Sequence, residues 1–375
     1  MEKTCCNVAF CGTGRWVNCY YIPELIRRFG QYRIAGFFDI LREKAQEASD
    51  LVVDTMKVQR SWGRTPQQSV ERALANRPKV YASIEELIAD KEVDVVVVVT
   101  RPVPTHYPVA MQLLEGGKNV ILEKPMTHSS AECDALIAKA KEKGVIFTVH
   151  HNLRSSTAIR AVNDVIRTGH VGEPLMIELH SPCHWYNHED FSNFACHLTD
   201  QALFMNSSPL KEVTATVEYP DDGMGTAGYG MALLTFEKGP SIRMNMLPKP
   251  NQKMDTEEGT MRRYFRAYVT GTKDTVALAD IAYVPQPECI LRDKLYWYDV
   301  ADPDFYTPEF LNGVWDLFLD MFHNHWLKGT PLTMKAEHAR NVIRCVELMV
   351  ESSRLKKAVK ATNMIPNVYE GIAKE

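Results

Sequence analysis

The chain has 375 residues, 45 % hydrophobic and 24 % charged, a balance that suits a globular protein of about two domains. Its formal net charge of −4 supplies no basic field for nucleic acid or an anionic membrane surface. The longest strongly apolar run, "VDVVVVVT" (93–100), is far shorter than the roughly 20 residues of a membrane span. The N-terminal "MEKTCCNVAF" lacks a basic stretch followed by a long apolar one, so no secretory signal is expected there. Nine cysteines lie scattered without paired ligand spacing, a usage that points to a reducing, cytoplasmic setting.

The first 150 residues alternate strand-like and helix-like segments. "NVAFCG" is a short apolar run ending in glycine, and a helical stretch follows through "YYIPELIRRFG". "YRIAGFFD" is the next strand, "ILREKAQEAS" the next helix, and the polar, basic residues 58–79 read as an excursion or an extra helix. "SIEELIADKE" is a short helix with Ser83 as its cap. The β-branched run before Thr100 has the composition of a strand buried on both faces. "THYPVAMQLLEGG" gives a helix, and "KNVILEKP" a strand. "SSAECDALIAKAKEKG" opens on a capping box, Ser129 with Glu132, and closes at Gly144; "VIFTVHH" is a further strand. Repeated β-α-β units predict a doubly wound parallel sheet over residues 1–150.

After residue 151 the texture changes. "EPLMIELHS", "KEVTATVEY", "YGMALLTFE" and "SIRMNMLP" follow one another with turn residues between, predicting an α+β domain over 151–375 with a mostly antiparallel sheet. Helical segments close the chain, with Ala339, Val342, Ile343, Val346 and Met349 at helical spacing, and they can pack back on the first domain. The alternating aromatic and charged residues of "MRRYFRAY" and "KLYWYD" read as strands at a sheet edge, suited to an oligomer interface.

"FCGTGRWV" sets Gly12, Thr13, Gly14, Arg15 and Trp16 between a strand and a helix. A dinucleotide fold needs such glycines for the tight turn and for close approach of a pyrophosphate. Val17 occupies the third glycine position, and Asp39 ends the next strand. An acid there accepts hydrogen bonds from ribose hydroxyls and repels a 2′-phosphate, which favours NAD over NADP; Arg42 opposes that preference.

The segments "VAFCGTGRW", "FFD", "VDVVVVVTRPVPTHYPVAMQLLEGGKNVILEKPMT" and "VHHNLR" resemble the Gfo/Idh/MocA family of NAD(P)-dependent oxidoreductases, with Glu123-Lys124-Pro125 as the most specific mark. The resemblance implies an N-terminal Rossmann domain, then a domain whose open-faced sheet lines the substrate cleft and builds a homo-oligomer. It implies hydride transfer between a nicotinamide and a secondary hydroxyl or ketone of a sugar, glycoside or cyclitol, without a metal. It makes Lys124 the active-site lysine. Thr100, Pro102 and His106 match a loop that closes over the cofactor, with Arg101 and Pro104 as departures from its pattern; Arg101, Glu123 and Asn152 are also expected at the cofactor. Arg154 is expected at the substrate.

In "SNFACHLTDQALFM", helical spacing puts Asn193, His197, Asp200 and Gln201 on one face, and Phe194, Leu198, Ala202 and Met205 on another that packs inward. The resemblance makes His197 the general base, with Asp200 beside it. Asn193 stands where the family has an acid, and an amide cannot stabilise an imidazolium as a carboxylate does. Asp200 substitutes if its side chain turns back toward His197. "HSPCHWYNHED" offers His184, Trp185 and Tyr186 as a polar, aromatic loop over a sugar face. The departure at Asn193 also opens a second reading, from relatives that oxidise a sugar carbon transiently, eliminate the aglycone and return the hydride, acting as glycosidases.

Overall fold

The computed structural model describes residues 4–61, 67, 71, 74–155, 157–182, 187–219, 228–247, 264–281, 288–291, 294–296, 313–366 and 368. Two compact units emerge: Met1–His150 with Leu319–Ala336, and His151–Phe318 with Glu337–Glu375.

The first unit is built on β1 (Cys6–Cys11), β2 (Tyr32–Phe38), β3 (Lys79–Val80), β4 (Val95–Val98), β5 (Asn119–Glu123) and β6 (Phe147–His150). They form one parallel sheet in the order β3-β2-β1-β4-β5-β6, as the alternating pattern predicts. The four valines of β4 are fully enclosed, because helices cover both faces of such a sheet. The register Cys11–Val98–Leu122–Val149 crosses four strands, so the residues that follow leave the sheet along a single carboxyl edge. Strand order reverses beside β1, and ligands of open α/β sheets bind outside that edge.

The helical stretch after β1 begins as a π-turn over Val17–Tyr21, where Ile22 N–H donates to the Val17 carbonyl, and continues as α1 (Ile22–Arg27). Pro23 brings no N–H to this helix, and the widened turn just before it absorbs the missing donor. The next helix, α2 (Arg42–Ser61), extends past the expected residues 40–49, since Ala45, Ala48, Val52 and Val53 keep one face buried. In α3 (Ile84–Ala89) the Ser83 side chain accepts from Glu86 N–H at 3.2 Å. Beyond α4 (His106–Glu115) comes α5 (Ser130–Lys143), with a departure at its cap. Ser129 Oγ accepts from Ala131 N–H, but its own N–H goes to Thr127 Oγ1 at 3.2 Å rather than to Glu132. Gly144, at φ +65°, ends the helix as expected.

The second unit carries α6 (Thr157–Arg167), α7 (His188–Met205) and a nine-stranded sheet. Its strands are β7 (Pro174–Pro182), β8 (Leu210–Glu218), β9 (Tyr229–Phe236), β10 (Ser241–Leu247), β11 (Tyr264–Gly271), β12 (Thr275–Ile281), β13 (Glu288–Leu291), β14 (Lys294–Tyr296) and β15 (Val359–Lys360). Their order is β14-β13-β12-β11-β7-β10-β9-β8-β15, antiparallel except where β10 joins β7 in parallel. "KLYWYD" supplies the edge strand β14, whereas "MRRYFRAY" supplies β11, which lies inside the sheet between β7 and β12. One face packs on the helices through Val213, Ala215 and Val217; on the other, Tyr229 and Met231 are about half exposed.

The helix α8 (Gly313–Lys328) enters the first unit at Leu319, where the Tyr32 hydroxyl donates to the Leu319 carbonyl at 2.6 Å. In α9 (Ala336–Leu355), Ala339, Val342, Ile343, Val346 and Met349 are all buried, as their spacing predicts.

Candidate active site

Gly12 leaves β1 at φ +91°, and a Cβ placed on it would lie 2.6 Å from the Val99 carbonyl oxygen. Only glycine fits this conformation and this approach to the exit of β4. Above Gly14 the opposite holds: an added Cβ would meet no atom within 4 Å, which leaves the room a pyrophosphate needs against the backbone. Thr13 binds sideways instead, its N–H and its hydroxyl both donating to Asp39 Oδ2 at 2.8 Å. Leu41 N–H donates to Oδ1 at 3.0 Å. An ionised carboxylate offers about four lone-pair sites, so Asp39 retains one on Oδ1 for a ribose hydroxyl. Arg15 and Arg42 are exposed, and Val17 is wholly buried. Burial and then the Asp39 charge push the Cys11 thiol up, so it stays protonated and unreactive.

Thr100, Arg101 and Pro102 form the exit of β4, with Arg101 and Pro102 exposed. His106, first residue of α4, is only 2 % exposed. Its Nδ1 lies 2.9 Å from the Pro125 carbonyl oxygen and its Nε2 3.1 Å from that of Thr100. Burial lowers its pKa, and the two carbonyls only partly offset this. The resemblance places His106 against the cofactor; here both nitrogens are occupied by backbone, and the ring joins the exits of β4 and β5. The peptides before Pro102 and Pro125 are both cis.

Lys124 follows β5 at the carboxyl edge and is half-buried. Glu123 beside it turns inward: at 6 % exposure its Oε1 receives the Tyr21 hydroxyl at 2.7 Å and the Trp16 indole N–H at 3.1 Å, with His150 Nδ1 at 3.1 Å. Oε2 faces Lys124 N–H at 3.3 Å. Burial raises the Glu123 pKa, but His150, Tyr21 and the Lys124 charge together bring it below the ordinary value. Glu123 and Trp16, expected at the cofactor, thus bond to each other. Tyr21 and His150 had no motif to flag them; the one available signal is register, which sets His150 directly opposite Glu123.

In the second unit, α7 departs from the expected division into a polar and an inward face. His197, Asp200 and Gln201 are buried along with Leu198, Ala202 and Met205, while Asn193 and Phe194 are half-buried. Asp200 can be enclosed because it finds a partner, whereas Gln201 Oε1 is buried without one among the described residues. Asp200 is committed to Arg154: Nε donates to Oδ2 at 3.0 Å and Nη2 pairs with Oδ1. His151 Nδ1 lies 3.9 Å from Oδ1, His338 Nδ1 lies 3.4 Å from Arg154 Nη1, and the Phe204 ring centroid lies 5.3 Å from Arg154 Cζ. Burial raises the Asp200 pKa, but Arg154, His151 and His338 outweigh it and hold the carboxyl below the usual range. Arg154 and Asp200 are 4 % and 1 % exposed, which corrects two expectations: Asp200 does not turn back to His197, and Arg154 is spent on the interior. Asn152, in the same 3-10 turn (Asn152–Ser155), makes no side-chain hydrogen bond to another described residue. His184, Trp185 and Tyr186 lie outside the described residues. Among the described residues, no group of His, Cys, Asp or Glu side chains is arranged to hold a metal ion, and no helix is long and apolar enough to cross a membrane.

Comparison with known proteins bears on this geometry. Residues 6–151 match the profile of a family described as an oxidoreductase family with an NAD-binding Rossmann fold. An uncharacterized oxidoreductase of Schizosaccharomyces pombe is 33 % identical over 176 residues, 43 % of this chain; the match spans 47 % of that relative, about half its length. The scyllo-inositol 2-dehydrogenase (NADP(+)) IolW of Bacillus subtilis is 26 % identical over 302 residues, 75 % of this chain and 82 % of that one. An oxidoreductase from Agrobacterium radiobacter, solved with NAD+, L-tartaric acid and magnesium, has the same fold with a TM-score of 0.71 at 17 % identity, over 96 % of this chain and 99 % of that one. From the first residue of β1 to the residue after β6, the first unit thus carries the profile of the Gfo/Idh/MocA oxidoreductase family with its NAD-binding Rossmann fold.

Proposed function

We propose that the protein transfers hydride between a nicotinamide dinucleotide and a secondary hydroxyl or ketone of a sugar, glycoside or cyclitol. One observation carries this reading: a glycine turn with open space above Gly14 and a lysine after β5 share the carboxyl edge of one parallel sheet. The name of the IolW relative, a cyclitol dehydrogenase, supports the substrate class. When bound, the nicotinamide supplies the hydride acceptor or donor. The chain supplies the rest. The backbone at Gly14 receives the pyrophosphate, Gly12 and Thr13 shape the turn that exposes it, and the remaining lone pair of Asp39 takes a ribose hydroxyl. The Lys124 ammonium hydrogen-bonds the reacting oxygen and stabilises its alkoxide character. His197 is the proposed acceptor of the alcohol proton. The negative charge of Asp39 favours NAD over NADP. We further propose a cytoplasmic homo-oligomer assembled through the sheet face that bears Tyr229 and Met231; sedimentation as a monomer at working concentration overturns that assembly.

The deciding experiment follows reduced-cofactor absorbance with NAD+ or NADP+ and a panel of free sugars, cyclitols and glycosides. Turnover well beyond one equivalent per subunit with one class supports the dehydrogenase reading. Aglycone release with no accumulated reduced cofactor supports the glycosidase reading instead.

A further inference from the structure

The Glu123 carboxylate holds more donors than a strand exit requires, and their hydrogens can be assigned. Trp16 Nε1 is a donor only. Tyr21 Oη, His150 Nδ1 and Glu123 Oε1 form a closed triangle with sides of 2.7, 2.8 and 3.1 Å. Were Nδ1 bare, it would face the anionic Oε1 lone pair to lone pair, so the proton sits on Nδ1. The Tyr21 hydroxyl then donates to Oε1 and accepts from His150. The Tyr21 hydroxyl is itself held protonated, by burial and then by the Glu123 charge.

These partners come from three places in the chain. Trp16 opens the helix after the glycine turn, Tyr21 closes the π-turn, and His150 ends β6. Lys124 is one peptide away from the carboxylate they grip. Burying a charge is costly, and apolar side chains of similar volume stabilise a fold about as well, so stability alone gives no reason for this arrangement. The charged and titratable groups around Glu123 are His150, Tyr21, Lys124 and, at longer range, His106.

We infer that Glu123, gripped by Trp16, Tyr21 and His150, is a positioning residue that fixes Lys124 relative to the glycine turn. The role rests on the proposed hydride transfer, which assigns Lys124 its task. Glu123 itself touches no reacting atom.

The test compares Glu123→Gln and Tyr21→Phe with the unaltered protein by three readouts. These are dinucleotide affinity, kcat on the substrate found by the panel, and the pH dependence with which a small amine-directed reagent labels Lys124, read by peptide mapping. Tyr21→Phe removes one oxygen and keeps the ring in its edge contact with Phe10, 5.6 Å between centroids. It therefore decides the matter if Glu123→Gln fails to fold. The expected result is a fall in kcat of about tenfold or more in both variants, because a displaced catalytic group loses rate steeply. Dinucleotide affinity should stay within about threefold, which separates misplacement from lost binding. In Glu123→Gln the labelling curve of Lys124 should move to lower pH, since a neighbouring anion is gone; in Tyr21→Phe its plateau rate should change. Unaltered kcat and labelling in both variants would overturn the inference, as would a loss explained wholly by dinucleotide affinity. If the panel yields no turnover, the proposed function fails. The labelling curves then decide this point alone: a shift upholds the coupling of Glu123 to Lys124, and its absence removes it.

Discussion

Among the described residues, each unit buries one carboxylate beside a basic residue, and the two are stabilised differently. Asp200 has a full guanidinium against it, with Arg154 donating through two nitrogens. Glu123 is held instead by a phenol, an indole and an imidazole from three places in the chain. The guanidinium neutralises Asp200 and the pair closes on itself. These side chains fix the Glu123 carboxylate beside Lys124, which is half-buried. A closed ion pair serves packing, whereas a carboxylate held next to a half-buried lysine can still act on that neighbour.

Substitutions that strand one partner break the comparison most strongly. Arg154→Ala leaves Asp200 enclosed without its cation, and the second unit should lose about 3–5 kcal/mol of stability, read by denaturant unfolding. A loss under about 1 kcal/mol would mean that water reaches Asp200. Lys124→Ala should do the reverse, lowering turnover by about 10²–10³-fold with thermal stability and dinucleotide affinity kept. Near-normal turnover there would sink the proposed role of the lysine. Gly12→Ala should destabilise the first unit by about 1–3 kcal/mol, through its positive φ and its contact with Val99. Gly14→Ala should leave stability unchanged and weaken dinucleotide binding alone, because its Cβ enters only the open space.

Acid should show the smallest effect. Glu123 and Asp200 both have folded pKa values below their ordinary 4.5 and 3.8. Their stabilisation is therefore complete above those ordinary values and is lost as pH falls through the lower folded ones. Glu123→Gln should flatten the first unit's share of this loss, by roughly 1.4 kcal/mol for each unit of displacement. Chemical denaturation between pH 5 and 3 would read it, with pH limits set at about these values by the carboxylate range. An unchanged slope would mean that Glu123 carries its proton in the folded state.

Much of the first unit was legible because its signals are local. Gly12, the β4 valines and Gly144 each answer to their own neighbours in sequence. The partners of Glu123 were not, because Tyr21 and His150 lie 102 and 27 residues away and meet it only once the strands are ordered. The polar face of α7 misled for a related reason. Periodicity predicts which side chains point together, but not that Arg154 would be there to satisfy Asp200, and with that partner both faces could be buried. "MRRYFRAY" carries the composition of an edge strand and lies inside the sheet, because β12, β13 and β14 were added beyond it.

The ring of His106 touches the carbonyls of Thr100 and Pro125 at once. For anyone grafting specificity between relatives, the exits of β4 and β5 therefore form one exchangeable cassette. Transplanting either loop without the other would pair an imidazole with a carbonyl from a foreign background. A chimera should keep its activity when residues 99–106 and 123–127 travel together, and lose it when they are parted.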